Sequence, residues 1–141
     1  MWPNLTEIDR LTERIIGCAI EVHKTVGAGL LESVYRECLV IELKRAQLNF
    51  ESERAVKLSY KSVPIYSTLR IDLLVEGLIV VELKAVETVH RVHQSQVITY
   101  LILTGSPSGL LLNFNVTAMR FGVRRLHHPE LYKQQKSNFS S

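Results

Sequence analysis

Two carboxylates and a lysine lie within one short stretch, Arg70-Ile-Asp-Leu-Leu-Val-Glu-Gly-Leu-Ile-Val-Val-Glu-Leu-Lys84. Apolar-rich segments 69–75 and 78–83 flank Glu76-Gly77, and glycine takes the positive φ that a tight hairpin requires. Along the first strand the period is two. Leu69, Ile71, Leu73 and Val75 are expected on one face, with Arg70, Asp72 and Leu74 on the other. Glu82 and Lys84 share a face of the second strand for the same reason. A three-residue loop pairing Val75 with Ile79 sets Asp72 opposite Glu82, whereas a two-residue loop puts Val81 there instead.

Aspartate is depleted in strands, and facing carboxylates repel. Asp72 is one of only two aspartates in the chain. A local rule broken among hydrophobic neighbours points to a functional position, with the repulsion offset by positive charge. Lys84 and a divalent cation would supply it, and hard carboxylate oxygens are what Mg²⁺ or Mn²⁺ accepts. The tripeptide alone carries little weight. Chance placement of 14 acids and seven lysines among 141 positions gives roughly 0.7 acid-x-Lys triplets. Glu42-Leu43-Lys44 is a second copy, but it falls in a helical pattern, where i and i+2 are about 200° apart. Only the copy at Glu82 can gather its two charged ends.

The elements that must hold this hairpin follow from the rest of the pattern. Residues 7 to about 25 carry Ile8, Leu11, Ile15, Ala19 and Val22 on one helical face, with Asn4 or Thr6 able to cap them and His23 at the surface end. Gly27-Ala28-Gly29 breaks that helix, and a second one runs from about Leu30 to Ala46. Glu32 lies in its first turn, where the helix dipole favours a carboxylate, with Tyr35 one turn on. Residues 48–60 alternate as a half-exposed strand, and Ser62-Val63-Pro64 reads as a break. Residues 89–104 form a third helix ended by Gly105. Gln96 and Tyr100 share one of its faces with His93; Val97, Ile98, Leu101 and Ile102 share another. Residues 109–115 form an apolar strand of the kind covered on both sides. Met119–Leu126 alternates again, and residues 127–141 read as a polar, flexible tail.

One domain over residues 1–126 accounts for the whole pattern, and it is large enough to bury its own core. A net charge of +3 permits a polyanionic partner without demanding one. Cys18 and Cys38 fall in helical patterns and read as free thiols. No apolar stretch reaches the roughly 18 residues of a membrane span, and charges interrupt the N-terminus, so the expectation is a cytoplasmic protein without a membrane partner.

Four segments in order resemble a known group. Gly29-Leu-Leu-Glu32-Ser-Val-Tyr35 resembles the signature of the GxxExxY family, part of the PD-(D/E)XK nuclease superfamily. Asp72 followed by Glu82-Leu83-Lys84 resembles the superfamily's D…ExK motif, with Ile71 where a proline often stands. Gln96-Val-Ile-Thr-Tyr100 is similar to its QxxxY helix, and Gly109–Phe114 to its late strand. The resemblance covers residues 8–126. It implies an α/β fold with a restriction-endonuclease-like core, a central mixed β-sheet flanked by α-helices.

It also implies a metal-dependent nuclease acting on the backbone of DNA or RNA. In that reading Asp72, Glu82 and the Leu83 backbone carbonyl hold Mg²⁺ or Mn²⁺, and Glu32 completes the shell directly or through water. Lys84 orients the attacking water or stabilises charge on phosphorus, Gln96 steadies the site or a phosphate, and Tyr35 and Tyr100 lie near the substrate backbone. Arg70, Arg120 and Arg124 could meet phosphate. Helix residues 97–103 could be core or the seam of a homodimer. The alternatives are a non-catalytic nucleic-acid-binding module and an assembly domain on the same fold.

Overall fold

In the computed structural model, which describes residues 1–66 and 69–134, the chain begins with a capped helix. Asn4 Oδ1 accepts the Glu7 amide at 2.9 Å and the Glu7 carboxylate accepts the Asn4 amide at 3.3 Å, a capping box that starts α1 (Leu5–Val26). Gly27, at φ 71°, ends it. The elements that follow are α2 (Glu32–Arg45), β1 (Phe50–Ala55), β2 (Leu58–Tyr60), β3 (Val63–Ile65), β4 (Arg70–Val75), β5 (Ile79–Lys84), α3 (Arg91–Thr104), β6 (Ser108–Asn113), a 3₁₀ turn (Met119–Gly122) and β7 (Val123–His127).

Five strands form one sheet in the order β1-β4-β5-β6-β7, parallel only between β5 and β6 and antiparallel elsewhere. Helices α1 and α2 cover one face through Ile8, Ile15, Tyr35 and Leu39, packed on Leu73, Val81, Leu83 and Leu112. Helix α3 covers the other face through Val97, Tyr100 and Leu101, packed on Leu74, Val80 and Leu111. The interior strand β6 is buried along its full length, as an apolar run covered on both sides should be. The edges differ from the centre: β1 shows Glu51, Glu53 and Arg54 to solvent, and β7 shows Arg124 and Arg125.

Three local expectations are corrected. Val63–Ile65 is a strand and not a break. It pairs with β2 across Lys61-Ser62, at φ 50° and 67°, and Pro64 is tolerated because this is a two-stranded ribbon with open edges. Met119–Gly122 forms a 3₁₀ turn, so only the second half of the expected strand enters the sheet.

The domain also runs past residue 126. Leu131 is completely buried in the α1–α2 core, the His128 amide donates to the Pro107 carbonyl, and Gln134 bonds the backbone of Trp2 at both ends of its amide. Of the expected tail, residues 135–141 lie outside the described residues. Leu131→Ala is expected to destabilise the fold by about 2–4 kcal/mol in a denaturant titration, as for a buried leucine, where a flexible tail would give no change.

Candidate active site

The β4–β5 hairpin has the three-residue loop, with Val75 paired to Ile79, Leu74 to Val80 and Leu73 to Val81. The next step of that register is Asp72 opposite Glu82, and there the backbone ladder stops. The carboxylates take over its bonds. The Asp72 amide donates to Glu82 Oε1 at 3.0 Å, and the Leu83 amide donates to Asp72 Oδ2 at 2.8 Å.

Asp72 is also the step at which β4 and β1 lose their bridge: Ser52 pairs with Leu73 and Arg54 with Ile71, but Glu53 between them stands at φ 50°. The face alternation slips here. Ile71 packs with α3, whereas Leu73 and Val75 pack under α1 and α2, so the single face expected for all of them does not exist. The hairpin therefore opens at the position where its two acids meet.

Glu82 is only 6% exposed. Burial, and then the neighbouring Asp72 charge, push its pKa up to about 8. Lys84 is half-buried and works in the opposite direction, favouring ionised carboxylates on both Glu82 and Glu32. Glu32 enters from the first turn of α2. Its pKa is raised by burial foremost and by Asp72, and lowered by Lys84, Arg36 and His93, which places it within the field of all four.

Behind Lys84, Asn113 fixes the chain as it leaves β5: its side chain bonds the Val86 amide at 3.0 Å and the Val86 carbonyl at 2.9 Å. The Lys84 carbonyl accepts from the Phe114 amide on the β6 side. Alternation then turns the Leu83 carbonyl toward β4, the side on which its amide meets Asp72.

Helix α3 contributes from the other face. Gln96 is exposed and its Nε2 donates to the Tyr100 hydroxyl at 3.0 Å. Tyr100 is buried, and burial followed by the charges of Glu82 and Asp72 raises its pKa. Tyr100 thus holds Gln96 from below and shows no ring face to solvent. Val97 and Leu101 are core, which removes them from any dimer seam.

Tyr35 departs further from its expected place near substrate. It is fully buried, stacked on Phe114 at 4.5 Å between centroids, and its hydroxyl donates to the Gly27 carbonyl at 2.6 Å while accepting the Leu30 amide. It ties down the loop that leads into Glu32. Tyr35→Phe is expected to lower stability by about 1–2 kcal/mol, because the Gly27 carbonyl and Leu30 amide lose the part-buried hydroxyl that joins them, and a chemical-denaturation curve reads this directly.

Arg70 is exposed on β4 opposite Ala55. Arg124 bonds the carbonyls of Phe121 and Val123, and Arg120 lies over the Phe121 ring. None of the three has an ion pair with the acids of the hairpin among the described residues.

The cation that does is Arg36, which sequence reasoning missed. It bridges Glu53 Oε1 at 3.1 Å and Asp72 Oδ1 at 3.5 Å. Its position four residues after Glu32, on the same helical face, was the available signal. Glu53 had no such signal, since its place depends on the register of β1. His93, noted in the sequence only as one turn before Gln96, joins the field around Glu32.

Among the described residues no three His, Cys, Asp or Glu side chains are grouped as a ready-made metal cage. Two facing carboxylates beside a turned carbonyl nonetheless fit Mg²⁺, which is held through one or two carboxylates and keeps most of its waters. The repulsion that raises the Glu82 pKa is the kind a cation removes.

A family model of the PD-(D/E)XK nuclease superfamily matches residues 9–126. The chain belongs to that superfamily, and its mixed five-stranded sheet between helices is the restriction-endonuclease-like fold. No curated protein matches it closely enough to count as a relative. No helix among the described residues is long and apolar enough to cross a membrane.

Proposed function

We propose that the chain is a metal-dependent nuclease of the GxxExxY kind that hydrolyses phosphodiester bonds in DNA or RNA. One observation carries the reading: Asp72 and Glu82 face each other where the hairpin ladder ends, each holding a backbone amide of the opposite strand, with Lys84 beside them. That arrangement is destabilising in a binding-only protein, since it opposes like charges to each other and to phosphate.

Asp72, Glu82 and the Leu83 carbonyl would hold Mg²⁺ or Mn²⁺, with Glu32 completing the shell directly or through water. The bound ion supplies Lewis acidity toward phosphate and a lowered pKa for water. Lys84 presents its ammonium to the developing negative charge or to the attacking water. Gln96, exposed and held by Tyr100, steadies a phosphate oxygen. The sequence carries no base-reading helix or zinc-finger pattern, so recognition runs through the backbone. Two free cysteines fit a reducing, cytoplasmic setting, and a homodimer would let so small a domain span a duplex.

A second reading has one observation in its favour: Arg36 already holds Asp72, a cation inside the proposed donor set. This would be a nucleic-acid-binding module without turnover. Calorimetric titration of Mn²⁺ into wild type and Asp72→Asn, with cleavage of plasmid DNA and of an RNA transcript by the same samples, separates the two. The nuclease reading expects binding and cleavage in wild type and neither in the variant. Salt-sensitive nucleic-acid binding without cation binding would establish the module instead.

A further inference from the structure

A cavity of about 680 Å³ lies between the end of α1 and the loop after β6. Ile20, Ala28, Val116 and Met119 give it apolar walls, and Lys24 and Arg120 stand at its margin; no carboxylate lines it. Neither cation has an ion pair among the described residues. An apolar hollow with unopposed positive charge at its lip suits a ligand with a flat apolar body and an anionic group.

The cavity is also tied to the hairpin site. Val116 follows two residues after Phe114, whose amide holds the Lys84 carbonyl, so the wall begins within about 7 Å of extended backbone from that anchor. His23 Nε2 fixes the Val116 carbonyl at 2.8 Å, and the Tyr35 hydroxyl fixes Gly27, a second lining residue. At about 3.4 Å per stacked nucleotide, a backbone span of about 7 Å corresponds to about two nucleotide steps.

We propose that the cavity receives one unstacked nucleotide of the substrate strand, its base against the apolar wall and its phosphate on Lys24 and Arg120. The proposal rests on the nuclease reading for the path of the strand. A base inside a duplex is stacked and cannot enter, so the site selects single-stranded or locally opened nucleic acid.

The test is anisotropy of a fluorescein-labelled oligothymidylate and of a labelled hairpin duplex in metal-free buffer, where cleavage plays no part. Wild type is expected to bind the single strand about tenfold tighter than the duplex. Ala28→Trp, which fills the hollow from an exposed loop, should remove that preference with the melting temperature unchanged. The double variant Lys24→Ala/Arg120→Ala should weaken single-strand binding about tenfold and covers the case in which tryptophan disturbs the loop. Equal affinity of wild type for both probes, or single-strand binding unmoved in both variants, overturns the pocket. So does thymidine monophosphate competing as well as the strand.

Metal-dependent cleavage by the same wild-type sample is scored separately. Cleavage with no pocket effect ends this inference and leaves the nuclease reading standing. A pocket effect without cleavage ends the nuclease reading and keeps the cavity as a nucleotide site of a binding module, without the path from Lys84.

Discussion

Lys84→Ala should reduce metal-dependent cleavage by about 10²–10³-fold, the usual loss when one charge aimed at a developing anion is removed. The side chain is half-buried and has no ion pair among the described residues, so thermal stability should change little. Its effect on pH dependence is a sharper readout. The Lys84 charge lowers the pKa of both Glu32 and Glu82, so removing it raises them, and the acid limb of the rate profile should move to higher pH. Lys84→Arg keeps the charge and should keep the limb in place while still losing rate through altered geometry. Lys44→Ala, in the helical copy of the same tripeptide, should change neither. Full activity in Lys84→Ala would remove the lysine from the reaction.

Glu82→Gln should make the metal-free protein more stable than wild type in alkaline solution. The sign follows from linkage. Glu82 has a folded-state pKa raised to about 8 from its ordinary 4.5, so the folded state keeps a proton that the unfolded state has lost. Its contribution is complete below the unfolded pKa and disappears as pH rises through about 8. Wild type should therefore melt progressively lower between about pH 5 and 9, with glutamine flattening the curve. At about 1.4 kcal/mol per pKa unit the difference is on the order of a few kcal/mol at the alkaline end. Added Mg²⁺ should restore wild-type stability there, because a cation held by these residues would offset the charge that the proton otherwise neutralises, and should leave Glu82→Gln unmoved. A wild-type curve that stays flat through this range would show that the two acids do not burden each other.

The hairpin was legible because its information is local. Residue types at i and i+2, a glycine, and an apolar period of two place Glu82 and Lys84 together without knowledge of the remainder. The facing of Asp72 and Glu82 depended on loop length, and two registers stayed open until Glu76 and Gly77, both at positive φ, settled on three residues. The slip in β4 was hidden from the sequence. It arises from the neighbouring strand at Glu53, and a period of two carries no mark of where a partner interrupts it. Tyr35 shows the same limit from another side: a motif tyrosine one turn from Glu32 reads as functional, but the burial that turns it inward comes from Phe114, 79 residues later in the chain. Arg36 was the avoidable omission. The C-terminal segment was missed because Leu131 is one apolar residue among polar neighbours, and a single buried leucine gives no period at all.

The charged borders of the sheet limit how this protein can associate. Outward-pointing Glu51, Glu53 and Arg54 at one border and Arg124 and Arg125 at the other discourage a foreign strand from docking alongside. Two copies sharing one nucleic acid would not fuse their sheets into a continuous ten-stranded surface. They would meet through helices or through the β2–β3 ribbon, where Tyr60, Val63 and Ile65 stand exposed.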